Sequence, residues 1–418
     1  MTSSYEVQAR AVDRAVVRPP GSKSITNRAM VVAALAPGES TLVAPLRSDD
    51  TDAMRECLES MGVRVAEADR GLAIRSTGFL RAAGALDARA SGTTARFMAA
   101  VATLADGTSV VDGTARMRER PIGDLVDVLR SLGCVVEYAG EEGFPPVQID
   151  GPRLLGGRAA IDVTRSSQFA SAVLLVAPRA EQPVILEVGE TVVSRPYLDT
   201  TMEVMRQFGG HADWQGDSTI RVEASGYRPA ELLIEADASA AVYPWAIAAI
   251  GGCQVTVAGI DPASTQADMG ALEVLEAMGC VVDWTPDGIR VAGPDELQGV
   301  ELDMNDCPDA VLGLSVVAAF AGTPTTFTNI ANLRIKETDR LAALENELTK
   351  LGAGVETGPD WIRIEPGPTR PATIATYDDH RMAMAFATAG IRQPGIVIEN
   401  PECVAKTWPE FFEMLESL

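Results

Sequence analysis

One junction recurs along this chain, and its spacing limits what the chain can fold into. The segments CLESMGVRV (57–65), LRSLGCVVEY (129–138), MRQFGGHADW (205–214), LEAMGCVVDW (275–284) and LTKLGAGVET (348–357) each pass from helix-like residues through a glycine into a short β-prone stretch. The glycines are Gly62, Gly133, Gly209, Gly279 and Gly352, at intervals of 71, 76, 70 and 73 residues. A glycine just after the last helical residue is the expected left-handed stop. Five stops at so even a spacing mark an internal repeat of about 70 residues, longer than most solenoid units.

A sixth copy is half visible. The chain ends in FFEMLESL, at the point where the glycine and strand of another copy would follow. The stretch YEVQARAVDRAVVRPP near the N-terminus can supply that strand, so the termini are expected to meet. Six units divide as three plus three, giving an α/β (α+β) fold of two similar domains. Repeat counting places the first domain at residues 20–235 and builds the second from 1–19 and 236–418.

A length of 418 residues with 46% hydrophobic and 22% charged residues supports two or three well-packed domains. No apolar run approaches the roughly 18 residues needed to cross a bilayer. The N-terminus lacks the features of a signal or transit peptide. Six scattered cysteines without a C-x-x-C pair, and only His211 and His380 beside them, fit reduced thiols and no zinc site. A cytoplasmic protein is expected. The net charge of −23 weighs against nucleic acid or an anionic membrane as partner. An anionic substrate then requires a local basic focus.

Helix starts provide such a focus. In NLRIKETDR (332–340), Thr338 or Asp339 can cap a helix whose apolar positions are Leu341, Leu344, Leu348 and Leu351, gathering Lys336, Glu337 and Arg340 about its first turn. A cation there opposes the helix dipole, and a bound anion would resolve the conflict. Similar starts carry Ser22, Lys23, Ser24 and Arg28; Gly92, Thr93, Thr94 and Arg96; Arg120 before Pro121; Arg165, Ser166, Ser167 and Gln168; and Ser194 with Arg195 before Pro196. Later ones carry Asp309, then His380 with Arg381, then Lys406. Taken singly, each is accounted for by a cap and a surface charge. Together, if the helices are parallel, they line a cleft for polyanions bearing phosphate and carboxylate groups. Few acids lie among them. Glu337 and Asp309 suit proton transfer, whereas Asp49, Asp50, Asp378 and Asp379 suit capping or pairing with arginine.

In order, PPGSKSITNRAM, SGTTARF, MRERPIGDL, TRSSQF, VSRPYLD, EADASA, NDCPDA, NLRIKETDR, YDDHRMAMAFA and AKTWP resemble the motifs of the 3-phosphoshikimate 1-carboxyvinyltransferase (EPSP synthase) family, one of the enolpyruvyl transferases. The resemblance covers nearly the whole chain. It implies two domains of three βαβαββ units, an inside-out α/β arrangement with helix N-termini facing an interdomain cleft. It also implies transfer of the enolpyruvyl group of phosphoenolpyruvate to the 5-hydroxyl of shikimate 3-phosphate, by addition and elimination. No metal or organic cofactor, and a monomer, are expected.

Carried over motif by motif, Lys23, Ser24, Arg28, Ser166, Ser167, Gln168, Ser194, Asp309, Asn332 and Lys336 would hold shikimate 3-phosphate. Lys23, Gly92, Arg120, Gln168, Arg340, Arg381 and Lys406 would hold phosphoenolpyruvate. Asp309 would accept the 5-hydroxyl proton, and Glu337 would protonate the methylene carbon. The first domain would serve mainly the phosphoshikimate and the second mainly phosphoenolpyruvate. The chain departs from the family at Ala90, Ala240 and Ala405, where Asn or Ser is common, and at Phe97, where many members have Pro. Two other readings share the repeats: the sister enzyme acting on UDP-N-acetylglucosamine, and a non-catalytic anion-binding protein. The reactive loop cysteine of the first has no counterpart in this chain, whose loop reads MRERP, and the second has no use for Asp309 and Glu337.

Overall fold

Six stretches are apolar almost all the way round a helix, and such a helix must be covered on every side. The structure, a computed structural model, describes residues 3–190 and 192–418. It forms these stretches into helices Lys23–Leu35, Gly92–Ala102, Gln168–Val176, Ala238–Gly251, Val311–Ala318 and His380–Ala389. Beyond their first turns they are almost wholly buried. The first three pack against one another, and so do the last three. Small residues allow the approach: a Cβ on Gly313 would stand 2.7 Å from Val242 Cγ1 on the neighbouring helix.

Each central helix runs into a strand, and a second, amphipathic helix follows: Asp49–Ser60, Gly123–Ser131, Pro196–Gln207, Ala271–Ala277, Arg340–Leu351 and Phe411–Glu416. The first five stop at the repeat glycines. Gly62, Gly133, Gly209, Gly279 and Gly352 have φ of 94°, 92°, 79°, 101° and 117°, which side chains with a Cβ resist.

Among the described residues there are six sheets, and five share one plan. In the first, Glu231–Leu233 runs parallel to Gly38–Val43, which pairs antiparallel with Gly71–Ser76, itself antiparallel to Arg64–Ala68. The strand after the repeat glycine always takes the outer place. The sixth sheet has three strands: Ala372–Ile374 parallel to Ile396–Glu399, which pairs antiparallel with Ser4–Val7. The N-terminal segment therefore fills the third place rather than the one after the glycine. It also serves a second sheet, where Arg14–Val17 runs parallel to Gln254–Val257.

The chain divides into two compact units, Gly21–Ile234 and the segment ending at Pro20 together with Glu235–Leu418. Each has its own apolar core. The two ends of the chain meet in the second unit. The Tyr5 ring lies 4.3 Å from that of Phe412, its hydroxyl donates to Glu416 Oε1 at 2.6 Å, and Arg10 Nη1 donates to the Glu416 carbonyl at 2.6 Å. No helix among the described residues is long and apolar enough to cross a membrane.

Two expected helix starts are displaced. Pro121 does not open a helix, because its carbonyl accepts from Arg96 Nη2 at 2.8 Å and Ile122 N–H donates to Gly143; the helix begins at Gly123. Lys406 closes the 3₁₀ turn Pro401–Lys406, and Pro409 delays the next helix to Phe411. Overpacking at the central helices is testable: Gly313→Val should cost about 1–3 kcal/mol of unfolding free energy. Urea denaturation measures this, and an unchanged midpoint would count against so close a contact.

Candidate functional site

In NLRIKETDR the cap is Asp339, whose carboxylate accepts from Ala342 N–H at 3.1 Å and from Arg334 Nη1 at 2.9 Å. The helix then begins at Arg340, and its guanidinium turns inward to 1% exposure. Carboxylates supply the negative charge this cation needs. Nε lies 2.7 Å from Asp379 Oδ2, Nη1 2.9 Å from Asp309 Oδ1 and Nη2 2.9 Å from Glu337 Oε2. Around that centre stand Lys336 Nζ, 3.3 Å from Asp309 Oδ1, and Arg381 Nη2, 3.2 Å from Asp309 Oδ2. Lys406 Nζ lies 3.2 Å from Glu337 Oε1. Four cations thus share three carboxylates within a chain of net −23.

Burial works against every charge here, and the neighbours decide the outcome. For Asp309, burial favours the acid, but Arg381, Lys336 and Arg340 outweigh it and hold the carboxyl far below the usual range. Burial pushes Lys336 down, with Asp309 only partly opposing. Burial also opposes the charge of Arg340, yet Asp379, Glu337 and Asp309 keep it firmly protonated. A further acid, Asp268, is 2% exposed and accepts a hydrogen bond from Ser239 Oγ. Burial raises it from 3.8 to about 6, despite the opposing charge of Arg381.

The Gly21–Ile234 unit holds the other expected residues. Ser22 caps the helix that begins with Lys23, and Lys23 Nζ lies 3.1 Å from Asp50 Oδ2. Arg28 is 2% exposed, yet its partners among the described residues are neutral: Thr201 Oγ1 at 2.7 Å, Ser24 Oγ at 2.5 Å, Ser171 Oγ at 3.2 Å and the Tyr197 carbonyl at 3.3 Å. Burial pushes its guanidinium down to about 10. Such a cation gains from an anion.

Gly92 opens the next helix, and its missing side chain lets two guanidinium groups close on it. A Cβ there would lie 2.6 Å from Arg96 Nη1 and 2.7 Å from Arg120 Nη2. Arg120 is 7% exposed, with its Nε buried and lacking a hydrogen-bond partner among the described residues. Ser166 Oγ accepts from Gln168 N–H at 3.2 Å at the start of the third central helix, where Ser167 occupies the cap position. Ser194, 4% exposed, has left-handed backbone with φ 56°, a strained setting for a side chain just ahead of Pro196.

Contacts join Asp309, Lys336, Glu337, Arg340, Arg381 and Lys406 into one network. Asn332 lies in the 3₁₀ turn Ala331–Ile335, 7% exposed, with its Oδ1 buried and lacking a hydrogen-bond partner among the described residues. Asp379 caps its helix through Arg381 N–H at 2.9 Å and pairs with Arg340 as well. Asp268 was missed, since TQADMG has no basic residue near it. Arg96 belonged to a recognised motif, but only the fold sets it against Gly92 and Pro121.

A family model described as EPSP synthase (3-phosphoshikimate 1-carboxyvinyltransferase) matches residues 8–415. The 3-phosphoshikimate 1-carboxyvinyltransferase of Nostoc punctiforme is 44% identical over 416 residues, covering 97% of each chain. That of Methanoculleus marisnigri is 43% identical, covering 98% of this chain and 97% of its own. Among solved structures, EPSP synthase from Acinetobacter baumannii superposes with a TM-score of 0.83 at 27% identity, over 100% of this chain and 98% of that one. An enolpyruvyl transferase from Streptomyces tendae shares the fold, with a TM-score of 0.79 at 19% identity over 100% of this chain and 98% of that one.

The raised acid makes a pH test available. Between 3.8 and about 6, folded Asp268 keeps a proton that the unfolded chain has released. Its contribution to stability is therefore full below 3.8 and lost as pH rises through 6. Asp268→Asn should gain on the parent protein by about 1–3 kcal/mol between pH 4 and 7. Urea midpoints at the two pH values would measure the gap, and a constant gap would contradict the raised acid.

Proposed function

The chain belongs to the EPSP synthase family, and on that premise we propose that it transfers the enolpyruvyl group of phosphoenolpyruvate to the 5-hydroxyl of shikimate 3-phosphate, releasing phosphate. The observation that carries this reading is the pairing of two proton-transfer candidates, Asp309 and Glu337, with one buried cation cluster. A binding protein for anions gains nothing from carboxylates at that place.

On this reading Arg340, Arg381 and Lys406, with Lys23, Gly92, Arg120 and Gln168, receive the phosphate and carboxylate of phosphoenolpyruvate. Lys23, Ser24, Arg28, Ser166, Ser167, Gln168 and Ser194, with Asn332, Lys336 and Asp309, receive shikimate 3-phosphate. The Gly21–Ile234 unit serves mainly the phosphoshikimate and the other unit mainly phosphoenolpyruvate. The neutral surroundings of Arg28 and the bare Nε of Arg120 support an anion at each. The enzyme works as a cytoplasmic monomer without metal or organic cofactor, in keeping with its six unlinked cysteines.

Glu337 gives a proton to C3 of phosphoenolpyruvate while the 5-hydroxyl oxygen adds to C2, and Asp309 takes the hydroxyl proton. Loss of a proton from the new methyl group to the Glu337 carboxylate and departure of phosphate complete the exchange. A carboxyl held as low as that of Asp309 is a poor base. Anionic substrates answer this difficulty, because their phosphate and carboxylate groups compete for Lys336 and Arg381 and so raise the proton affinity of Asp309.

Phosphate release from phosphoenolpyruvate, with either shikimate 3-phosphate or UDP-N-acetylglucosamine as acceptor, tests the reading. Release with the first alone is expected, and its absence would refute the proposal. Glu337→Ala should lower kcat by roughly 10²–10⁴-fold with both substrates still bound; unchanged turnover would remove its assigned role. Arg28→Ala should raise the KM for shikimate 3-phosphate by roughly 10–100-fold, as expected for lost charge-assisted hydrogen bonds, and leave that for phosphoenolpyruvate near its original value. Equal effects on the two would contradict the assignment.

A further inference from the structure

Glu347 is a glutamate at 0% exposure, and no step of the proposed reaction uses it. It sits on helix Arg340–Leu351, seven residues and thus two turns beyond Arg340, on the same face. Its Oε1 accepts from the Tyr377 hydroxyl at 2.7 Å and its Oε2 from Ala375 N–H at 3.1 Å. Lys350 Nζ, at 2.9 and 2.7 Å from the two oxygens, balances the charge.

The backbone that Glu347 grips is unusual. Tyr377 and Asp378 are successive residues with side chains in left-handed conformation, φ 54° and 57°. Each costs about 1–3 kcal/mol and persists only where surrounding contacts dictate it. The next residue is Asp379, which pairs with Arg340 and caps the helix that presents Arg381. Asp378 Oδ1 accepts from Asn400 Nδ2 at 3.0 Å, and Asn400, itself left-handed at φ 48°, opens the turn that ends in Lys406. One strained turn therefore touches the supports of Arg340, Arg381 and Lys406. An apolar contact would join helix to turn without burying a carboxylate; two directed acceptors fix where the turn lies.

We propose that Glu347 is a positioning residue for the phosphoenolpyruvate clamp, acting through Tyr377 and the turn that carries Asp379. This rests on the assignment of Arg340, Arg381 and Lys406 to phosphoenolpyruvate. The tether sets the spacing of the three cations; of the shikimate 3-phosphate residues only Asp309 and Lys336 belong to their network, and most of the others lie in the Gly21–Ile234 unit. Its signature is a much larger change in affinity for phosphoenolpyruvate than for shikimate 3-phosphate.

Glu347→Gln and the milder Tyr377→Phe test it by steady-state kinetics, with thermal unfolding as a check on folding. The expected result is a rise in KM for phosphoenolpyruvate of at least tenfold in Glu347→Gln and roughly fivefold in Tyr377→Phe. The KM for shikimate 3-phosphate should stay within twofold. If Glu347→Gln fails to fold, the Tyr377→Phe result decides. Lower stability or Vmax with both KM values unchanged, or equal rises in both, would overturn the proposal, since a purely structural tether gives those results. Calorimetric titration with phosphoenolpyruvate separates this from the reaction itself. A parent protein that binds phosphoenolpyruvate but releases no phosphate refutes the reaction, and the variants' Kd still judges the tether. A parent that does not bind it overturns both.

Discussion

The ion-pair cluster within Glu235–Leu418 is built round one buried guanidinium. At 1% exposure Arg340 is compensated by anionic partners that arrive from three separate segments: Asp309, Glu337 and Asp379. Removing Arg340 would strip Asp379, Asp309 and Glu337 of one buried cation at once, which costs far more than an ordinary surface pair contributes. The same contacts that hold the fold together thus hold Asp309 and Glu337 at fixed distances from Lys336, Arg381 and Lys406. Stability and chemistry share one set of bonds here.

The cluster also occupies its own cations. On the proposed assignment, substrate anions would compete with these carboxylates for Lys336, Arg340, Arg381 and Lys406, so binding would be an exchange of partners rather than the filling of a bare positive pocket.

Much of this was legible in the sequence because it is local or periodic. The repeat glycines announce left-handed stops, and all five have positive φ. Asp339, one of two capping candidates, is the cap. The basic residues that the motifs single out around Asp309 and Glu337 do converge in space. What could not be read is tertiary. ENELTK looks like the solvated face of an amphipathic helix, with Glu347 and Lys350 as an ordinary surface pair, until the chain brings Ala375 and Tyr377 over it. Asp268 likewise acquires its raised pKa only from the burial that the fold imposes, against the opposing pull of Arg381 and Ser239. Arg120 looked like the residue before a helix, and a carbonyl bond from Arg96 moved that boundary.

The route of the N-terminal segment bears on the order in which the protein can assemble during synthesis. Arg14–Val17 finds its partner strand only after Gln254–Val257 has been made, and Ser4–Val7 waits for Ile396–Glu399. Chains emerge at roughly 5–20 residues per second. On that scale the first strands stay unpaired for some tens of seconds while the Gly21–Ile234 unit completes its own sheets. The sequence of these strands suits the wait: Ser4–Val7 and Arg14–Val17 are only four residues long each, and Glu6 and Arg14 interrupt their apolar character. Short, charged edges of this kind resist pairing with other nascent chains. Strands made before the Gly21–Ile234 unit are thus among the last to be built in, and their short, charged edges suit that delay.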